Sequence, residues 1–219
     1  MDYDINYYKL LLSKGYSLLT VGDEKRPNTP WKELNTKALS LEEFEARFNK
    51  TGANGTKSIG LICGFNNVEV LDIDLKVFET KRERDEFWAE FLNFCESNID
   101  DFMQKFVIKR TKNQGYHILY RCNTIEGNKK LATPKGKKEA IIETRGISGY
   151  VVMYAQSYND LDYHEIQEVS ELDRQILFDI ARSYDHTDEV VEIPKKVTTA
   201  YDNTGLKCWE DFNQKTDIF

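Results

Sequence analysis

The sequence predicts an α+β chain, an antiparallel sheet of at least five strands with helices set against it. Two observations point there. Short runs rich in β-branched residues recur between turn-forming clusters from residue 58 to residue 154, the pattern of half-buried strands. Helical patterns with their own start signals lie before, between and after those runs. With 219 residues, 40% of them hydrophobic and 12% aromatic, the chain has enough apolar surface for a packed core in one or two domains.

Residues 5–14 carry apolar side chains in a helical rhythm and run into Gly15, which suits a left-handed cap. A brief apolar run at 16–21 leads into the turn-rich GDEKRPNTPW of residues 22–31. Ser40-Leu-Glu-Glu43 makes a capping box, each side chain satisfying the other residue's backbone N–H, and opens a second helix through Phe48. The glycines of 52–55 stop it. SIGLIC (58–63) and VEVLDIDL (68–75), separated by GFNN, read as two adjacent antiparallel strands. Residues 78–98 lack Gly and Pro and place Phe87, Trp88, Phe91, Leu92 and Cys95 at helical spacing, so they form the main surface helix. Further strands are expected at 105–110 and 116–122, with a second hairpin of 140–144 and 150–154 around the turn at 146–149. Ser170 opens a last helix through Tyr184, after which residues 186–207 show neither period nor core pattern and read as a linker.

Composition narrows the function classes. No stretch approaches the ~18 to 20 apolar residues of a membrane span, and the N-terminus lacks the order of a signal peptide, so a cytoplasmic chain with no membrane partner is expected. Cys63, Cys95, Cys122 and Cys208 lie far apart with no CxxC and no nearby His at zinc-ligand spacing, which argues against zinc and against a disulfide framework. A net charge of −7 argues against a nucleic-acid partner only until its distribution is seen. Residues 102–150 hold eleven basic and three acidic side chains, a local net of +8, and the rest of the chain carries −15. Such separation suits a polyanion held at one place on an acidic body; a Lys-rich exposed loop at 127–138, which supplies five of the positive charges, is the plainer explanation.

Three constellations can carry chemistry. Asp72 and Asp74 sit within one strand, where a period of two puts both carboxylates on one face and Leu71, Ile73 and Leu75 on the other. Paired carboxylates repel unless a cation lies between them, and hard oxygen ligands suit Mg²⁺ or Mn²⁺; a wet edge strand is the alternative. Next, Lys109-Arg-Thr-Lys-Asn-Gln-Gly115-Tyr-His117-Ile-Leu-Tyr-Arg121 is a basic loop entering a strand whose His117, Leu119 and Arg121 share a face. That set can clamp a triphosphate, although a lone His on a strand also serves as an ordinary structural residue. Finally, Glu143 and Arg145 share a face just before the turn of RGISGYVV, either as part of a metal and phosphate site or as a simple cross-strand pair.

Taken in order, hhhDhD, then small-x-His, then hE with RGxxGYVV, these stretches resemble the three motifs of the archaeo-eukaryotic primase superfamily, and most of all the bifunctional primase-polymerase (prim-pol) domains of phage, plasmid and mobile-element replication proteins. Gly22-Asp-Glu-Lys-Arg-Pro with Pro30-Trp31, and Ile59-Gly-Leu-Ile-Cys-Gly64, add to the likeness, which spans about residues 15–157. Gly115 stands where the family often has Ser, and Met153-Tyr-Ala-Gln-Ser157 replaces a Pro-Pro-Ser run.

The resemblance implies a catalytic domain at residues 1–185, with a smaller N-terminal α/β unit at about 1–57 and an RRM-like antiparallel sheet at about 58–185. It implies a DNA primase/polymerase that adds nucleoside triphosphates to a 3′-hydroxyl on a single-stranded DNA template. Asp72, Asp74 and Glu143 would bind two Mg²⁺ or Mn²⁺ ions, and His117 would meet the nucleotide phosphates. Lys109, Arg110, Gly115, Arg121, Arg145 and Lys76 complete the expected nucleotide set. A metal-dependent nuclease and a non-catalytic single-strand-binding module are the rivals. The tail at 201–219, with Trp209 and Phe212, resembles the junction to a helicase-associated segment, so a replicative helicase in cis or in trans is an expected partner.

Overall fold

Antiparallel pairing builds two sheets in the computed structural model, which describes residues 3–52, 55–135 and 137–186. The chain divides into two units, 1–188 and 189–219, and every described residue belongs to the first. The expected linker beyond His186 and the tail with Trp209 and Phe212 lie outside the described residues.

The smaller sheet has the order β1 (Leu18–Val21), β2 (Ser58–Ile62), β8 (Tyr150–Val152). The larger runs β4 (Val107–Arg110), β5 (Tyr116–Arg121), β3 (Val68–Ile73), β7 (Ile142–Arg145), β6 (Lys130–Ala132). Helices α1 (Ile5–Ser13) and α2 (Leu41–Phe48) precede β2, α3 (Lys81–Asn98) and the single turn α4 (Phe102–Lys105) precede β4, and α5 (Glu171–Arg182) follows β8. This is an α+β arrangement, as the sequence predicts.

Period-two alternation decides what each face of the larger sheet meets. Leu71, Ile73, Ile108, Ile118 and Ile142 join Trp88, Phe91 and Cys95 of α3 and Leu177, Phe178 and Ala181 of α5 in one core. Val70, Val107 and Leu119 leave the other face and join Leu18, Leu61 and Val151 of the smaller sheet, with Leu11 and Phe44, in a second core. Each such fully buried side chain contributes roughly 1.5–3 kcal/mol relative to exposure.

Local signals set the helix ends. α3 starts at Lys81, three residues later than expected, because Thr80 and Glu83 form a capping box: the Thr80 N–H donates to the Glu83 carboxylate at 2.8 Å and the Glu83 N–H to Thr80 Oγ1 at 3.2 Å. Ser40 with Glu43, and Ser170 over the Asp173 N–H, cap α2 and α5 as expected. β4 begins two residues late because the chain first makes the turn of α4, burying Phe102 and Phe106. The basic loop holds one element the sequence reading missed, β6, which pairs with β7 and buries Leu131 and Ala132.

Both expected hairpins are instead crossings between sheets. β2 pairs with β1 and β8, and β3 with β5 and β7, so β2 and β3 never meet, nor do β7 and β8. β2 and β3 are each central and almost wholly buried, so neither offers the other an edge. The turn between them contains three left-handed residues, Gly64 (φ 84°), Asn66 (φ 51°) and Asn67 (φ 56°), which swing the chain out of the first sheet. The two crossings touch: the Cys63 N–H donates to the Gly149 carbonyl at 2.9 Å, and a Cβ on Gly64 would lie 2.7 Å from Ile147 Cα. After β8 the chain runs on to the larger sheet's edge, where the Arg110 N–H donates to the Gln156 carbonyl and the Tyr158 N–H to that of Ile108. No described helix is long and apolar enough to cross a membrane.

Candidate active site

Strand register lines up one row across the larger sheet. Lys109, His117, Asp72, Glu143 and Lys130 are successive cross-strand partners on β4, β5, β3, β7 and β6, and directly opposed residues have Cβ atoms about 4.5–5.5 Å apart. Asp72, His117, Glu143 and Arg145 leave the face turned away from α3 and α5. That face is apolar at Val70, Val107 and Leu119, where the second core covers it, and polar in this row.

The polar groups at the centre are close but loosely paired. His117 Nε2 stands 3.6 Å from Asp72 Oδ1, beyond hydrogen-bond range, and Arg145 Nε stands 3.5 Å from Asp72 Oδ2. Another guanidinium nitrogen of Arg145 closes on the Glu143 carboxylate. The His117 ring is only 5% exposed, yet its Nδ1 has no hydrogen-bond partner, a costly state for a buried polar atom. Burial lowers the His117 pKa; Asp72 works against this, and the charges of Lys25 and Arg145 reinforce it. Burial raises the Glu143 pKa; Arg145 and Lys130 oppose the rise, while Asp72 and Asp74 add to it.

Asp72, His117 and Arg145 line a cleft of 390 Å³ together with Glu24, Lys25, Trp31, Tyr150 and Tyr154, and Glu143 stands next to Asp72 in the strand register. Trp31 and Tyr150 meet edge to face at 5.1 Å, and the Tyr154 ring lies 5.6 Å from His117. The Tyr150 hydroxyl donates to the Lys25 carbonyl at 2.9 Å and so ties the overhanging loop to β8. Lys25 and Trp31 went unassigned at the level of sequence, although the turn-rich run at 22–31 was the signal for them.

The other expected site residues have different surroundings. Asp74 lies one residue past β3; its side chain accepts from the Lys76 N–H and pairs with Lys76 Nζ at 3.2 Å, and Lys76 also binds Glu139 at 3.0 Å. The Asp74 carboxylate is therefore engaged by Lys76, while its charge still acts on Glu143. Lys109 is wholly buried and its Nζ is held by Asp162 and Ser157, each at 2.6 Å, and by the Tyr3 hydroxyl at 3.0 Å. Its amine is thereby engaged away from the cleft, with Asp162 as its counter-ion. Arg121 stacks on Tyr16 at 4.7 Å, at the opposite end of β5. The Gly115 N–H donates to Thr111 Oγ1 at 3.0 Å, and a Cβ there would lie 2.2 Å from the Ile73 carbonyl oxygen. Glycine is needed at 115 for close strand approach, and its N–H is not free for a phosphate. Arg110 donates to the Tyr116 hydroxyl at 3.2 Å and lines a neighbouring cleft.

A scan against protein-family models and a search of curated proteins each return no match to this chain.

Proposed function

We propose that this chain is a primase-polymerase of the archaeo-eukaryotic primase type, transferring nucleotides from nucleoside triphosphates onto a 3′-hydroxyl on a single-stranded DNA template. The observation that carries the reading is the juxtaposition of Asp72, Glu143 and His117 on adjacent strands, on one open sheet face beside Arg145. The motifs they come from lie far apart in sequence, and strand register sets their polar side chains side by side. The succession β3, α3, β4, β5, then β7 against β3 also suits an RRM-like split β-α-β sheet.

The donor set fits a hard divalent cation. Two carboxylates face each other across β3 and β7, and the upward shift of Glu143 means that Arg145 does not fully relieve their mutual repulsion and burial. Asp72 and Glu143 would hold Mg²⁺ or Mn²⁺, and Asp74 joins them only by giving up Lys76. Such an ion acidifies a hydroxyl nucleophile and stabilises charge on the phosphate under attack. Arg145 and Lys25 neutralise the triphosphate. His117, which lines the cleft and is kept neutral by burial, is a hydrogen-bonding group for a phosphate oxygen or its attached proton. Trp31 and Tyr150 supply an aromatic wall on which a base can stack.

Incubating the protein with a labelled primer on a single-stranded template, Mn²⁺ or Mg²⁺, and deoxynucleoside or ribonucleoside triphosphates tests the proposal. Extended products are expected, and Asp72→Asn should cut their formation by about a thousandfold or more, the scale on which removal of central electrostatic groups acts. Products shorter than the primer would make the chain a nuclease instead.

A further inference from the structure

A second cleft, 660 Å³ in volume, adjoins the first. The two share Lys25, Val152 and Tyr154 in their linings, so one opens toward the other. The charged residues of the second cleft are Lys25, Lys57, Arg110 and Lys112, with no carboxylate among its lining residues. In a chain with 37 acidic and 30 basic residues that is a marked local excess. Some lysines elsewhere are matched to acids, as in Lys9 with Glu45, Lys76 with Asp74 and Lys105 with Asp173. Among the described residues no ion pair engages any of the four cations of this cleft.

The loop that brings Lys25 to both clefts is strained. Glu24 and Lys25 are consecutive non-glycine residues with positive φ, 53° and 60°, a conformation that costs of order 1–3 kcal/mol per residue and persists only where surroundings enforce it. The enforcement is visible: the Gly22 N–H donates to the Arg26 carbonyl at 2.8 Å and the Tyr150 hydroxyl to the Lys25 carbonyl at 2.9 Å. The other cations come from the residue before β2 (Lys57) and from the end of β4 and the turn into β5 (Arg110, Lys112). Unpaired point charges spread over three chain segments match phosphates repeated along a strand better than one compact triphosphate.

We infer that the second cleft holds the sugar-phosphate backbone of single-stranded nucleic acid and delivers it past Lys25 to the carboxylate cleft. This deepens the nucleotidyl-transfer reading by giving its polynucleotide a path, and rests on that reading only for the direction of delivery. The rival location is the basic loop between β6 and β7, where Lys137 and Lys138 are exposed.

The test measures fluorescence anisotropy of a labelled oligothymidylate with the full chain, in EDTA and without nucleotide, over a range of salt. Lys57→Ala/Lys112→Ala should weaken binding by about tenfold or more and flatten the salt slope by about 1.4, which is ~0.7 for each single-strand phosphate that is no longer neutralised. Lys137→Ala/Lys138→Ala, an equal change in charge, should move affinity by less than about twofold. Unchanged thermal midpoints for both variants establish that folding is intact. Binding of a fluorescent nucleoside triphosphate with Mn²⁺ should survive Lys57→Ala/Lys112→Ala. The inference is overturned if the wild-type chain does not bind the oligonucleotide, if the loop pair matters as much as the cleft pair, or if the cleft pair loses triphosphate and keeps oligonucleotide. Because the measurement needs neither metal nor turnover, a chain that binds the strand through this cleft yet never extends a primer would refute the enzymatic proposal alone.

Discussion

Glu69 and Asp72 leave the same strand three residues apart, toward opposite faces, and their surroundings differ in kind. Glu69 is fully buried against α5, where Arg174 grips it with two hydrogen bonds, at 2.6 and 3.0 Å, and the Tyr120 hydroxyl adds a third at 2.7 Å. Asp72 faces the cleft, with the Arg145 guanidinium at 3.5 Å and the imidazole of His117, kept neutral by burial, at 3.6 Å. A buried carboxylate that is completely satisfied locks a helix onto a sheet. One left partly satisfied at a cleft wall keeps oxygen lone pairs that no protein group engages fully. Burial and charge alone do not separate structural from functional acids; completeness of pairing does.

Breaking the satisfied pair should give the largest effect on folding. Arg174→Met leaves the Glu69 carboxylate buried with only the Tyr120 hydroxyl, and should destabilise the fold by about 3–5 kcal/mol in urea unfolding while folded molecules keep their activity. Glu69→Leu/Arg174→Met should recover most of that loss, because an apolar pair carries no stranded charge. A single variant within ~1 kcal/mol of wild type would break the contrast between the two faces. On the cleft side the sign reverses. Burial and its neighbours raise the Glu143 pKa, so the folded state disfavours the carboxylate at neutral pH. Glu143→Gln should therefore raise the thermal midpoint, by about 2 °C in the presence of EDTA, and abolish primer extension. A lowered midpoint would mean that the Glu143 and Arg145 pair stabilises the fold more than burial of the acid destabilises it.

This contrast also explains what could be read from the sequence. Asp72, Glu143 and His117 were legible because period two fixes the face of each strand residue, and short spacing to Gly and Arg marks the turn. The strands themselves were legible for the same reason, as were the helix starts at Ser40 and Ser170. Pairing between strands was not. GFNN and the turn at 146–149 have hairpin composition, yet both lead from one sheet to the other, because β2 and β3 already have partners on both edges. Turn residues report local backbone freedom, whereas strand partnership is decided by burial across the whole unit. Charge on Lys109 and Arg121 was equally silent about destination: both share the His117 face, but Asp162 and Tyr16 claim them. Those partners lie 53 and 105 residues away in sequence, beyond the reach of any spacing rule.

The smallest expected effect concerns His117 and sharpens the same contrast through pH. Its pKa in the folded chain lies below the ordinary 6.5, chiefly through burial, with Lys25 and Arg145 acting in the same direction and Asp72 opposing. Above about pH 6.5 the imidazole is neutral in both folded and unfolded chains and contributes no pH dependence. As pH falls below that value the unfolded chain takes up a proton that the folded chain resists, so stability declines until the folded-state pKa is reached. Urea midpoints measured in EDTA between pH 7.5 and pH 5 should thus fall toward acid, and part of the fall should vanish in His117→Asn. Titration of His117 by NMR should show the depressed pKa directly. An imidazole that titrates above 6.5 would mean that Asp72 holds it as a tight ion pair, making the cleft-side acid as fully satisfied as Glu69 and removing the distinction on which its functional assignment rests.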